Sequence, residues 1–350
     1  MDAQDMEILK VLVMQTAFIG DAVLTLPMIQ EIFRVYNSPA IDVLCIPASA
    51  EIFSSSPCVR NTLIYDKRGT DKGVAGFVKL TARLRKEKYD IIFSPHRSFR
   101  TSLLVLFSGV RNTTGFSTAS LPFVYKNVVR YEKDHHEVRR DLELAGVSTD
   151  GESWRILPVI ETSAEKKQNV SRFLDQFPGY TKFAAVAPGS VWATKKFPRD
   201  RYLQVIKYLT AGGYTVILTG GRSDEAECRE IAAEAGGAPS VISAAGMFSI
   251  TETVELYRHC AIVVSNDSAP THFAMCAGVP ALTIYCSTVP AFGFYPYSSN
   301  SMWLSYDDLK CKPCGIHGHN ECPIGTFECA YKLEMQNIYT AIDRLLSYNK

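Results

Sequence analysis

Polar turns interrupt short apolar runs at regular intervals along this chain, and most runs are followed by a stretch with helical spacing. Residues 8–13 (Ile-Leu-Lys-Val-Leu-Val) predict a strand, and residues 21–35 predict a helix with its apolar positions on one side. Residues 41–46 and 61–65 predict two more strands, 71–86 a helix, 89–93 a strand and 99–107 a helix. Runs at 128–131 and 136–145 finish the first half. Around 151–180 the pattern changes: a short strand over 155–160 precedes a charged helix and Pro178-Gly179. The cycle then restarts, with strands over 182–187, 214–219, 261–264 and 281–285, helices over 201–211 and 223–235, and an amphipathic helix over 331–348. Short apolar strands alternating with helices predict an α/β fold of doubly wound parallel sheets, whose strands are buried on both faces. The expected division is a domain over 1–165, a second over 180–330, and a helix over 331–350 packing back across their junction.

Composition narrows the function classes. A length of 350 residues suits two domains. A net charge of +1 supplies no global basic field, so no nucleic-acid partner is expected. No apolar run approaches the ~18–20 residues of a membrane span. The start of the chain, Met-Asp-Ala-Gln-Asp-Met-Glu, is acidic and lacks the pattern of a signal peptide. Ten cysteines without an export signal predict reduced thiols and a cytoplasmic protein, with room for a peripheral association at the inner membrane face.

The most informative stretch is 261–280. Its apolar strand ends in a polar turn, Ser268 is suited to cap a helix, Pro270 fits the first helical turn, and Gly278 and Pro280 stop the helix. The first amides of such a helix, near Ser268 and Ala269, form a ready anion site, flanked here by Asp267 and His272. A carboxylate beside a phosphate site suits a ligand carrying hydroxyls as well as phosphates, such as a nucleotide sugar. An ordinary strand-to-helix turn is the plainer reading.

Three other strand ends carry comparable signals. After the first strand, Gly20 permits a close turn and Asp21 sits where a helix begins, placed either as a general base or simply as an N-cap. After the strand at 182–187, Gly189 and Ser190 allow close backbone approach, and Thr194, Lys195 and Lys196 follow in a loop. A lysine there can neutralise a diphosphate leaving group. After the strand at 214–219, Gly220-Gly221 precede Asp224 and Glu225; Glu225 could hold ribose hydroxyls, or both could complement the helix dipole.

Gly20-Asp21 with Leu26-Pro27, Pro188-Gly189 ending in Lys195 and Phe197-Pro198, Gly220-Gly221 with Glu225, and Asp267-Ser-Ala-Pro-Thr-His272 resemble the ADP-heptose:lipopolysaccharide heptosyltransferases, glycosyltransferase family 9. The resemblance runs over nearly the whole chain. It implies the GT-B architecture, two Rossmann-like domains facing across a cleft. It also implies inverting transfer of heptose from ADP-heptose to a lipid-anchored lipopolysaccharide core acceptor, with no catalytic metal and no cofactor. By position, Asp21 resembles the catalytic base, Lys195 the diphosphate-stabilising lysine, and Glu225 the nucleotide-contacting acid. Asp267 and His272, with the amides near Ser268 and Ala269, resemble the donor clamp. Ser190-Val-Trp192 and Asp267-Ser-Ala-Pro depart from the family's usual patterns, which bears on the donor sugar. The alternatives are another nucleotide-sugar donor, a sugar-nucleotide epimerase of the same fold, or a nucleotide sensor without turnover.

On the acceptor side, His96, Arg97 and Arg100 follow a strand of the first half and are placed to meet an anionic core sugar. Arg83, Arg85, Lys86 and Lys88 read as a solvated helix face, with anionic lipid as the other reading. Cys311, Cys314, Cys322 and Cys329 are spaced to hold a structural zinc, with His317 and His319 as substitutes. Free thiols or a disulfide are the alternatives.

Overall fold

The computed structural model describes residues 8–348; the acidic start of the chain and the last two residues of the C-terminal helix expectation lie outside the described residues. Two compact units divide at Glu161 and Thr162. Among the described residues, the strands form one six-stranded parallel sheet in each unit.

The first unit runs β1 (Lys10–Gln15), α1 (Ile19–Val35), β2 (Ala40–Cys45), α2 (Ala50–Ser54), β3 (Asn61–Ile64), α3 (Gly73–Glu87), β4 (Ile91–Ser94), α4 (Phe99–Ser108), β5 (Asn112–Phe116), β6 (Asn127–Val129) and α5 (Glu137–Leu144). Its strand order is β3-β2-β1-β4-β5-β6. The central strands are buried on both faces, as an apolar run flanked by helices requires. Side chains cap several helices: the Ser98 oxygen accepts from the Thr101 amide and His136 from the Val138 amide.

The expected strand over 155–160 does not join the sheet. Pro158 interrupts it, and the Gln30 side chain of α1 supplies the pairing a neighbouring strand would give. Gln30 Nε2 donates to the Leu157 carbonyl at 3.1 Å, and its Oε1 accepts from the Val159 amide at 2.8 Å.

The second unit runs α6 (Ala164–Leu174), β7 (Phe183–Ala187), α7 (Arg199–Ala211), β8 (Thr215–Leu218), α8 (Glu225–Glu234), β9 (Val241–Ser243), α9 (Ile250–Arg258), β10 (Cys260–Asn266), α10 (Ala269–Ala277), β11 (Ala281–Tyr285), β12 (Ser301–Ser305), α11 (Glu328–Tyr331) and α12 (Met335–Ser347). The order β12-β11-β10-β7-β8-β9 repeats the winding of the first sheet. The expected helix over 331–348 is thus two pieces, and only α12 is long. Ile338, Ala341, Ile342 and Leu345, spaced at i, i+3, i+4 and i+7, bury one face of α12 against α7 and strands β10 to β12. Tyr208 and Tyr339 stack at 4.2 Å beside this seam, and Tyr208 donates to Asp343 at 2.8 Å. Among the described residues no helix is long and apolar enough to cross a membrane.

Truncating a fully buried aliphatic side chain in this seam leaves a cavity. Ile342→Ala is expected to lower the stability of the second unit by about 2–5 kcal/mol. Urea unfolding measures this; an unchanged midpoint would show that α12 does not stabilise the unit.

Candidate active site

In each sheet the winding reverses once, between β1 and β4 and between β7 and β10. Connections leaving these neighbours go to opposite faces, which opens a crevice at the carboxyl ends of the strands. The candidate residues cluster there.

In the first unit, α1 starts at Ile19 with Phe18 as its cap residue, so Asp21 is not the N-cap and Gly20 lies inside the first turn. Asp21 is instead the third helical residue, where the amides of Phe18 and Asp21 favour its charged form. Burial outweighs them. Together with the nearby Glu137 carboxylate, it raises the Asp21 pKa to about 7, while Arg97 opposes the rise. Glu137 pairs with Arg140 at 2.5 Å, inside the unit. Asp141 is fully buried, and burial, Glu137 and Asp21 hold its carboxyl well above the usual carboxylate range. The Thr25 hydroxyl links these groups. It lies 2.9 Å from the Asp21 carbonyl, from Asp141 Oδ2 and from Gln15 Nε2.

At the end of β4, His96 Nδ1 lies 2.9 Å from Thr16 Oγ1 and 2.8 Å from Thr101 Oγ1. Burial and the neighbouring Lys67 and Arg97 charges lower its pKa to about 4, so it is neutral at physiological pH. The Arg97 guanidinium lies 4.0 Å from the centre of the Tyr131 ring and donates to Thr118. Lys67 donates to the Thr16 carbonyl at 3.0 Å, and burial with the Arg100 and Arg68 charges lowers its pKa. Lys67, Arg68, Arg97 and Arg100 thus gather positive charge around His96 and the switch point. Lys67 and Arg68 were not apparent from the sequence.

In the second unit, Lys195 Nζ and Asp267 Oδ2 form an ion pair at 2.7 Å, and Thr288 donates to the same oxygen at 2.7 Å. The pair joins the loops after β7 and β10, the two strands of the switch. Asn266, at the end of β10, fixes the loop after β7. Its Nδ2 donates to the Pro188 carbonyl at 2.7 Å, while its Oδ1 accepts from the Phe197 amide and Tyr202 hydroxyl, both at 2.8 Å.

Ser268 precedes α10, yet its side chain caps none of the first amides; it donates to the Asn266 carbonyl at 3.4 Å. The first turn, from Ala269, thus has no side-chain acceptor from its own cap residue. His272 is buried, and its Nδ1 has no hydrogen-bond partner. Burial and Lys195 lower its pKa to about 4, against the pull of Asp267. Tyr285 OH and Ser287 Oγ, following on β11 and just beyond it, are also buried and unpartnered. Unsatisfied buried polar atoms are scarce in folded proteins, which makes these three candidates to meet a polar ligand.

Not every expected residue reaches this centre. Gly189 and Gly220 make room for Asp224: a Cβ at either would stand under 3 Å from its side chain. The Asp224 carboxylate in turn accepts from the Gly221 amide at 2.8 Å. Ser190 Oγ accepts from the Trp192 amide. Glu225 opens α8 and pairs with Arg229 at 2.9 Å, half exposed. Lys196 pairs with Glu227. The Thr194 hydroxyl is engaged by the His319 backbone. Cys311, Cys314, Cys322 and Cys329 share one cavity of about 210 Å³ with His319. All ten cysteines are free thiols, and among the described residues no three His, Cys, Asp or Glu side chains are grouped to hold a metal ion.

Residues 77–323 match glycosyltransferase family 9 (heptosyltransferase). The chain is 24% identical to lipopolysaccharide heptosyltransferase 3 of Escherichia coli, over 94% of this chain and 97% of that one. A family 9 glycosyl transferase from Veillonella parvula superposes with a TM-score of 0.85 at 20% identity, over 99% of this chain and 100% of that one. The E. coli ADP-heptose lipopolysaccharide heptosyltransferase II gives 0.77 at 21% identity, over 97% and 99%. Its fold is therefore that of the GT-B heptosyltransferases. By the match over most of its length, this chain is a member of glycosyltransferase family 9 and a glycosyl-transferring enzyme.

Proposed function

We propose that the protein transfers heptose from ADP-heptose, with inversion, to an acceptor in the inner core of lipopolysaccharide. The observation that carries the donor half is the set of orphaned buried atoms, His272 Nδ1, Tyr285 OH and Ser287 Oγ, in the unit that holds the Lys195–Asp267 pair. A diphosphate sugar offers what they lack, charged oxygens and hydroxyls together. The names of the relatives, heptosyltransferases of lipopolysaccharide, support the same donor and acceptor class.

In this reading the acceptor hydroxyl attacks the anomeric carbon from the face opposite ADP. The new C–O bond forms as the bond to the diphosphate breaks, and the hydroxyl proton passes to the Asp21 carboxylate. A base with a pKa near 7 is well matched to this task, because about half of it is ionised at neutral pH and it is still basic. Lys195 and the first amides of α10 stabilise the departing diphosphate, with Asp267 holding the ammonium in place. Gly189, Ser190 and Glu225 complete the donor side, Glu225 on the ribose. His96, Arg97 and Arg100 receive the acceptor, joined by Lys67 and Arg68. A lipid-anchored acceptor places the enzyme at the inner membrane face by peripheral contact, and cations at the acceptor site suit an anionic core sugar.

Asp21→Ala is expected to keep ADP affinity and lose about 10²–10⁴-fold in turnover. Wild-type turnover in the folded variant would reject the base. In the unaltered enzyme, kcat should rise with pH through about 7 as Asp21 loses its proton. Glu137→Gln removes a neighbouring negative charge, which stabilises the Asp21 carboxylate, so this rise should move to lower pH. A profile that does not move would separate Glu137 from the base. Lys195→Ala should weaken ADP binding and slow transfer, as read by calorimetry and initial rates. Titration with ADP, UDP and GDP tests the nucleotide; preference for UDP or GDP would replace the donor and leave the fold standing. Donor supplied alone separates the epimerase reading, since an epimerase would convert it without acceptor.

A further inference from the structure

The segment 311–319, which carries half of the cysteine motif, is fastened to the loop that bears Lys195. The Thr194 amide donates to the His319 carbonyl at 3.0 Å. The Thr194 hydroxyl donates to the same carbonyl at 3.1 Å and accepts from the His319 amide at 2.7 Å. Gly318 has φ +78° and sits against the same place. A Cβ there would stand 2.8 Å from both Thr194 Oγ1 and Ser287 Oγ, and 3.5 Å from Lys195 Cγ. The rings of Trp192 and His317 stack at 6.1 Å and 16°.

The segment is itself anchored from below. The Cys314 amide donates to the Ser287 carbonyl at 2.8 Å. Lys312, whose side chain is fully buried, donates from Nζ to Ser305 Oγ at 2.7 Å and to the Tyr285 and Tyr306 carbonyls. A lysine spends much conformational entropy on burial, and here its ammonium is satisfied by strand-end acceptors of β11 and β12. The sheet edge thus holds the segment, and the segment holds Thr194.

We propose that residues 312–319 form a strut that sets the position of Lys195 on the donor diphosphate, with Gly318 and Thr194 as positioning residues; this rests on the reading of Lys195 given above. Thr194 acts through its neighbour, since its amide and hydroxyl are both taken by His319. Aiming matters because the lysine side chain is long and flexible, and a displacement of about 1 Å at a charge-stabilising group can cost on the order of 10²-fold in rate. Only glycine fits at 318, on two grounds: its backbone conformation and the two hydroxyl oxygens already in contact distance.

The test measures ADP affinity by calorimetry and KM for ADP-heptose in Gly318→Ala, Thr194→Val and Thr194→Ser, each alone and combined with Lys195→Ala. Gly318→Ala and Thr194→Val should weaken ADP by about tenfold, as expected for losing one well-placed charged contact. Thr194→Ser keeps the hydroxyl and should bind like the wild type. With Lys195 already removed, the same changes should shrink to about twofold or less, because there is no ammonium left to aim. Equal losses with and without Lys195, or unchanged ADP affinity in folded Gly318→Ala and Thr194→Val, would overturn the strut. Should Gly318→Ala not fold, the Thr194 pair decides alone. If Lys195→Ala itself leaves ADP affinity unchanged, the reading of Lys195 fails and the strut with it; if that variant weakens ADP and the strut variants do not, the strut alone fails.

Discussion

Parallel strands cannot be joined by tight hairpins, so every connection in these sheets must cross over one face. The right-handedness of that crossover leaves one place in each sheet where the direction of winding turns round. Here it falls between β1 and β4 and between β7 and β10. This constraint decides which residues distant in sequence become neighbours. It brings Thr16 beside His96, 80 residues on. It likewise sets Asn266 against Pro188 and Lys195 against Asp267, pairs that join the segments following β7 and β10. The chemistry is placed by topology before any side chain is chosen.

What the side chains add is a controlled deficit of partners. A folded chain satisfies nearly all of its buried polar groups, because each one left alone costs about 1–3 kcal/mol. At the carboxyl edge of the second sheet the rule holds for Ser265, Thr271, Thr283 and Asn266, which form a closed chain of hydroxyls and amides under α10. It fails one layer further out, at His272, Tyr285 and Ser287. The inner groups satisfy one another, and the outer ones keep hydrogen-bonding capacity that the chain itself does not use. Lys195 fits this division: its ammonium is held by Asp267, and its side chain keeps 14% of its surface exposed.

The strand–turn–helix starts at Asp21, Lys195 and Asp267 were legible because each depends on local pattern: an apolar run, a turn and a helix signal within about a dozen residues. The same local logic misjudged residues 155–160, where alternation looked like a strand but Pro158 and the distant Gln30 decided otherwise. It passed over β9 and β12, short strands at the sheet edges whose sequences are only partly buried. It also passed over α9, although Ser249 and Glu252 form the capping box that announces a helix start. Glu137 and Asp141 were out of reach for another reason. Asp141 is linked to Asp21 through Thr25, 116 residues away, and Glu137 acts on it through its charge; nothing in the local pattern of 137–141 distinguishes them from an ordinary acidic helix turn. Gly318, and the backbone role of His319 beside its reading as a zinc ligand, depend on contact with Thr194, 125 residues away from His319, and so leave no local signal.

The Thr25 hydroxyl shows how such a hidden network can constrain protonation. A hydroxyl has one hydrogen to give and two lone pairs to receive. Gln15 Nε2 can only donate to it, and the Asp21 carbonyl can only accept from it. The single hydrogen can go to the Asp21 carbonyl or to Asp141 Oδ2, both at 2.9 Å, and when Thr25 gives it to Asp141 it favours the charged carboxylate. Burial, with the Glu137 and Asp21 charges, outweighs that pull and raises the affinity of the Asp141 carboxyl for a proton. It also changes the field at the base. Were Asp141 ionised, its buried negative charge as well as that of Glu137 would press on Asp21 and drive its pKa higher still. Keeping Asp141 neutral lets the Asp21 carboxylate exist at neutral pH beside Glu137, whose own charge is balanced by Arg140. The raised but still useful basicity of Asp21 is thus a property of six residues on three elements, α1, α5 and the end of β1, rather than of the aspartate alone.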